Sequence, residues 1–448
     1  MEQKVLKIGL LDHVGSGNLG DDATLAVFIH SITQRWPRAK LAAFSMSPDD
    51  TRERHGVSSY PIRTTSWSFG YAPATPVSTV KSNMKSLASK HRILFRLVKA
   101  VHTLVVRLPM DCVRELSFLV SSFRILRPFD LLVISGGGQL TERGGAWGFP
   151  YTVCKWVLIA KAARVRCIFV NVGAGPLTHF LSKRFAKSAL RAADYVSFRD
   201  HESRALAREI GFAGKSEVFP DTVYSLEVPS LDRRSAKRSD QPIVGIAPMP
   251  YCDPRLMPGT TKQMVYGNFI SKLAIFASGL ARDCYGIALF GSDIGVDPLA
   301  IEDLRLALQD HNGISALQIP TVGSVQQLLQ TMAGMDYIVT CRFHGVVFAH
   351  LLNKPVLAIS HHPKVATLMK DLGLSDYCVD IEQFNPNHLI DVFASLVKNT
   401  NMIKSCMAVN LASYKAQLTS QFDSLFCHGE RENVEGRLVG AMHARSSE

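Results

Sequence analysis

Short, mostly apolar runs, each breaking into a glycine-rich or charged loop and then into a helix, dominate this sequence. Residues 7–11, 130–135, 167–172 and 195–198 are such runs, and helical patterns over 25–35, 151–163, 182–191 and 201–209 follow them. Strands without polar alternation must be buried on both faces, which a parallel sheet covered by helices provides. The rhythm resumes with strands at 243–247, 286–290, 336–339 and 355–360, and helices at 268–282, 300–309 and 325–334. At 448 residues the chain suits two domains of about 200 residues each. The expectation is two α/β domains whose working loops, at the carboxyl ends of the strands, face a cleft.

The first domain should span 1–228. A polar linker over 229–242, carrying Arg233, Arg234, Lys237 and Arg238, leads to a second domain over 243–425. That domain ends in a helical region over 387–425, and residues 426–448 read as a flexible tail. No internal repeat of solenoid period is present. Residues 60–127 form an insertion with an irregular start. Its stretch 91–108 places Arg92, Arg96, Lys99, Thr103 and Arg107 on one narrow stripe of an otherwise apolar helix. Such a helix either lies in a membrane interface or packs on its own domain with a solvated basic edge.

Two turns carry the chemistry. The sequence Thr340-Cys341-Arg342-Phe343-His344-Gly345 links a strand to a helix. Free N–H groups and the positive helix end meet there, and Arg342 and His344 add a cation and a titratable donor. A small phosphorylated or carboxylated donor suits that turn. The plainer alternative pairs Arg342 with a carboxylate and leaves His344 a satisfied, half-buried side chain. The second turn contains Gly15, Gly17, Asn18, Gly20, Asp21 and Asp22. Its glycines fit the dinucleotide fingerprint. However, Asp21 and Asp22 would repel a pyrophosphate, and the next strand, 41–45, ends without the acidic residue that holds a ribose. Paired carboxylates in a glycine bed suit gripping or deprotonating a hydroxyl. The competing role for Asp21 is helix capping.

A formal charge of +12 favours an anionic partner, whether phosphorylated substrate, lipid headgroup or nucleic acid. Nucleic acid ranks last, because no RNA-type aromatic motif or zinc-finger spacing accompanies the charge. Nine cysteines without a C-x-x-C pair suit a reducing compartment, with neither disulfide framework nor zinc site. No signal-peptide core or run of eighteen uncharged apolar residues is seen. A cytoplasmic protein is expected.

Gly17–Asp22 (G-N-L-G-D-D), the glycines 136–138, G-x-G-P at 173–176, F-R-D-x-x-S at 198–203, C-R-F-H-G at 341–345 and P-V-L-A-I-S-H-H-P-K at 355–364 occur in that order. Together they resemble the polysaccharide pyruvyl transferase family, over residues 8–375. The resemblance implies two Rossmann-like domains in a glycosyltransferase-B-like arrangement, often with a C-terminal helix returning to the first domain. It also implies transfer from phosphoenolpyruvate, the co-substrate, to a sugar of a bacterial surface polysaccharide or its lipid-linked precursor, forming a pyruvate ketal. His344, Arg342 and Asp22 (or Asp21) become candidate catalytic groups. Gly17, Asn18, Gly20, Asp21, Gly137, Gly138, Gly175, Arg199, Gly345 and Lys364 become candidate binding groups. His344 is the candidate acid because a histidine ordinarily titrates close to working pH. No metal or redox cofactor is required, and membrane contact through 91–108 would place the enzyme at the inner face of the plasma membrane. The sequence departs from the family pattern at Arg143, where an aspartate is usual, with Glu142 beside it. Three competing readings are a nucleotide-sugar glycosyltransferase, an NAD-dependent oxidoreductase and a non-catalytic scaffold of a polysaccharide assembly complex.

Overall fold

The computed structural model describes residues 5–64, 108–228, 241–257, 263–310 and 317–426. The basic stripe over 91–108 and most of the linker and tail lie outside them. The first sheet is parallel throughout, in the order β3-β2-β1-β4-β5-β6-β7. Its strands are β1 Lys7–Leu11, β2 Lys40–Ser45, β3 Ser58–Pro61, β4 Leu131–Ile134, β5 Arg166–Val172, β6 Tyr195–Phe198 and β7 Glu217–Val218. The second sheet, also parallel, runs β10-β9-β8-β11-β12-β13. It is built from β8 Ile243–Ala247, β9 Gly286–Leu289, β10 Leu317–Gln318, β11 Tyr337–Thr340, β12 Val356–Ser360 and β13 Cys378–Asp380. These are two Rossmann-like sheets. In each, the strand order reverses beside the first strand: β1 lies between β2 and β4, and β8 between β9 and β11. Crevices at the carboxyl ends of such strands are where ligands bind in open α/β sheets.

Helices α1 Leu19–Arg35, α2 Pro48–His55, α3 Leu108–Leu126, α4 Phe149–Ala162, α5 Phe180–Ala192 and α6 His201–Glu209 belong to the first half. One face of its sheet packs on Trp156, Val157 and Leu190 of α4 and α5, the other on Phe28 and Ile32 of α1. The second half holds α7 Gln263–Arg282, α8 Asp297–Asp310, α9 Val325–Ala333, α10 Phe343–Leu351, α11 Pro363–Asp371 and α12 Pro386–Lys398. Within α7, Met264–Arg282 is long and apolar enough to cross a bilayer by composition, but half of it is buried in the protein. Asn399 separates α12 from the long α13, Thr400–Leu425. Phe422, Leu425 and Phe426 then enter the core of the first sheet, and Gln421 hydrogen-bonds Asn171 and Ser197 on β5 and β6. A buried His350 on α10 bonds both Tyr224 and the Met407 carbonyl of α13.

Candidate active site

The carboxyl ends of the two sheets meet, and the glycine turn after β1 is one side of the contact. Leu19 N–H donates to the Ser292 carbonyl (2.9 Å) and Ile294 N–H to that of Gly17 (2.8 Å), with Asn18 bridged to Asp293. Gly17 has φ of +84°, and a Cβ there would meet Gly295 N at 2.9 Å. The Asn18 side chain accepts from Gly20 N–H at 2.9 Å and caps α1. Gly17, Asn18 and Gly20 are therefore occupied in holding the two domains together, and Asn18, not Asp21, is the helix cap. A Cβ on Gly20 would fall inside the His344 ring. The imidazole thus seats directly on the first turn of α1.

Helix α10 starts at Phe343, with Arg342 in extended conformation as its N-cap, so His344 lies in the first helical turn. Arg342 is ion-paired: its Nε donates to Asp297 Oδ1 at 3.1 Å, its Nη2 bonds the same oxygen, and Asp293 is 3.6 Å away. Asp297 is fully buried and also accepts from Ser292 and Asp293 N–H. The alternative weighed above, that Arg342 pairs with a carboxylate, describes its resting state. In the folded chain His344 does not titrate near working pH, contrary to the expectation from its residue type. Burial, with Arg199 and Lys364 adding positive charge against the opposing pull of Asp221, pushes it down to about 4. His344 is neutral at pH 7, its Nε2 is buried with no hydrogen-bond partner, and Asp221 lies 3.9 Å away.

Asp21 and Asp22 part company. Asp22 faces α2, with Arg54 at 3.6 Å and His55 at 3.4 Å. Asp21 faces the triple-glycine loop after β4: its Oδ1 lies 3.6 Å from where a Cβ on Gly137 would stand. Burial and the charges of Asp22 and Asp293 raise it to about 7, against the pull of Arg143 and Lys364. Lys364, near the start of α11, is lowered to about 8 by the enclosing cleft and by Arg199, Arg342 and Arg143. It still keeps solvent-exposed surface. Arg199 lies 4.0 Å over the Phe343 ring and 3.3 Å from Asp221, against Gly173. Between the domains Arg199, His201, Asp221, Phe343, Lys364 and Tyr414 line a cavity of about 240 Å³. A wider depression at the start of α12, around Asn385 and His388, shares no residue with it. Gly138 lies in the triple-glycine loop. Gly175, at φ of +100° in the loop after β5, packs against Leu206 of α6, and Gly345 packs on Thr340 beneath α10.

The sequence model of polysaccharide pyruvyl transferases matches residues 18–363, most of the chain. The chain belongs to the polysaccharide pyruvyl transferase family. No curated protein matches it by sequence. Among solved structures it resembles UDP-GlcNAc 2-epimerase from Neisseria meningitidis bound to UDP-GlcNAc, at 10% identity and a TM-score of 0.55, over 93% of this chain and 98% of that one. It also resembles Anabaena HepE in complex with UDP and glucose, at 13% identity and a TM-score of 0.55, over 94% and 99%. At that identity the likeness shows the fold alone, the two facing Rossmann-like domains of glycosyltransferase-B proteins.

In this pyruvyl transferase the family's usual aspartate is Arg143, which adds a positive field around Asp21 and Lys364. Its neighbour Glu142 is no substitute, because it accepts from Thr178 and His179 N–H at the start of α5. Sequence reasoning missed Asp12 and His13, directly after β1. Gln139 Nε2 donates to Asp12 (2.9 Å) and to the Gly136 carbonyl (3.0 Å), so its oxygen faces His13 Nδ1, which must carry the hydrogen. His13 stacks on Phe149, and its Nε2 is left a buried acceptor without a partner. Burial pushes its proton affinity down to about 3. The same burial, with Asp21 adding repulsion, pushes Asp12 well up.

Proposed function

We propose that this enzyme transfers the enolpyruvyl group of phosphoenolpyruvate to a sugar of a surface polysaccharide or its lipid-linked precursor, in the cytoplasm, forming a pyruvate ketal. The observation that carries this is a cluster of cations, Arg143 and Arg199 from the first domain with Arg342 and Lys364 from the second, whose charges act on one another and on Asp21, leaving Asp21 raised to about 7 and Lys364 lowered to about 8. The donor carries a phosphate and a carboxylate, for which Lys364, Arg199 and Arg342 supply charge-assisted hydrogen bonds. Two of these cations, Lys364 and Arg199, also line the cavity of about 240 Å³ between the domains.

In the proposed reaction Lys364 protonates the enol methylene, which becomes a methyl group and leaves C2 cationic. A sugar hydroxyl attacks C2 and passes its proton to Asp21. The C2–O bond to phosphate then breaks and phosphate leaves. A second hydroxyl adds to C2 and passes its proton to the now neutral Lys364, closing the ketal and restoring the acid. Neutral His344 acts as a hydrogen-bonding group, its free Nε2 positioning donor or acceptor, and not as the acid. Arg342 meets the donor only as part of its unit with Asp297.

Phosphate release from phosphoenolpyruvate, with and without a lipid-linked oligosaccharide extract, tests the proposal. Acceptor-dependent release that Lys364→Ala and Arg342→Ala abolish is the expected result. Absence of release with every extract, together with thermal stabilisation by a UDP-sugar, would transfer the assignment to a nucleotide-sugar enzyme.

A further inference from the structure

Helix α3 leads into β4 with an outer face that should be polar and is not. Val113, Leu116 and Val120 recur at steps of three and four, Met110 precedes them by three, and all four are exposed. Val113 and Leu116 are 67% and 63% exposed, so among the described residues none covers them. The inner face is fully engaged. Phe118 packs edge-on to Trp156 at 6.3 Å, and Glu115 binds Lys155 and Tyr151 of α4. Beside α3 in the same helical layer, Trp147 ahead of α4 and Phe180 at the start of α5 are 61% and 66% exposed. Both precede or open helices that follow strands, which sets them at the carboxyl edge of the sheet, next to the cleft. A soluble surface normally scatters its large apolar side chains singly, and a contiguous group marks a contact.

The charge around this face selects the partner. Cations stand among these apolar side chains: Arg114, 66% exposed, follows Val113 on α3, and the Arg184 guanidinium lies 5.8 Å over the Phe180 ring. Apolar side chains amid fixed positive charge match a lipid surface with anionic headgroups, where the former enter the acyl boundary and the latter meet the phosphates. We infer that the outer face of α3, with Trp147 and Phe180, docks this enzyme on an anionic membrane, the cleft opening toward the bilayer. Its purpose, bringing the cleft to a lipid-linked acceptor, rests on the pyruvyl-transfer reading, but the docking itself needs no donor.

Sedimentation of the full chain with vesicles tests it independently of turnover. Vesicles of phosphatidylcholine and phosphatidylglycerol should bind the protein, salt should weaken the binding, and phosphatidylcholine alone should bind far less. The double variant Val113→Asp, Leu116→Asp, at exposed positions, should keep its fold by circular dichroism and lose about tenfold or more in vesicle affinity. Vesicles should shift Trp147 emission to the blue, and Trp147→Phe should remove that shift. Vesicle binding by the double variant equal to wild type would overturn the inference. So would equal binding to neutral and anionic vesicles, or a dimer in solution that the double variant dissolves while vesicle binding persists.

Discussion

Two side chains of opposite formal charge, Asp21 and Lys364, stand where proton transfer at neutral pH is available, and they dictate a pH profile. Asp21 accepts a proton only above about 7, and Lys364 donates one only below about 8. In the free enzyme kcat/KM should therefore rise through 7 and fall through 8. Asp21→Asn should lose the acid limb and about 10²–10⁴-fold in rate, measured by phosphate release across pH. Arg342 yields a second expectation. Its anchor Asp297 is buried and shared with two backbone N–H groups, so Asp297→Asn should destabilise the fold by about 3 kcal/mol in urea unfolding and raise KM for the donor. None of this was visible in the sequence beyond the residue types. Arg342 and His344 stood out, but Asp297 lies far from them along the chain, and burial, which sets the state of His344, has no signature in a motif. Asp12 and His13 did carry a signal, two polar residues directly after a buried strand at a carboxyl edge, but one weaker than the glycine pattern that follows.

Strands and helices were more legible than their ends. Parallel strands buried on both faces declare themselves as unbroken apolar runs, and β1, β4, β5, β8 and β11 follow them closely. The edge strands β3, β7, β10 and β13, of two to four residues, are too short for any pattern. Helix α2 is almost entirely charged and polar, and gives no apolar stripe. Helix α10 began three residues before its apolar run, because extended Arg342 serves as its cap. The most consequential element is α13, whose amphipathic pattern showed only a helix, while the family resemblance pointed to its return to the first domain. Phe422 is fully buried against Phe28, in the first sheet's core. Phe422→Ala should lower stability by about 3–5 kcal/mol, and urea unfolding followed by circular dichroism should keep a single transition at a lower midpoint.

Across the whole molecule, the site stores proton imbalance. His13 and His361 are held near 3, His344 and His362 near 4, whereas the unfolded chain protonates them near 6.5. Their contribution is complete above 6.5 and is lost as pH falls toward 4, because the unfolded state takes up protons first. Asp12 and Asp21 oppose this: their raised folded affinities favour the native state below the ordinary carboxylate range and lose that support as pH rises toward 7. Four histidines outnumber two aspartates, so the urea midpoint should fall between pH 7 and pH 5, with roughly 1.4 kcal/mol per pH unit for each proton in excess. The interlock of Gly17 and Asn18 with the loop from Ser292 to Gly295 has a further consequence for the balance of products. In the proposed reaction a cationic C2 would be open to attack by water as readily as by sugar, and the seated loops would shut water out. Gly17→Ala, whose methyl would press on Gly295, should let the solvent in, and free pyruvate should then accumulate from the donor even when no sugar is present.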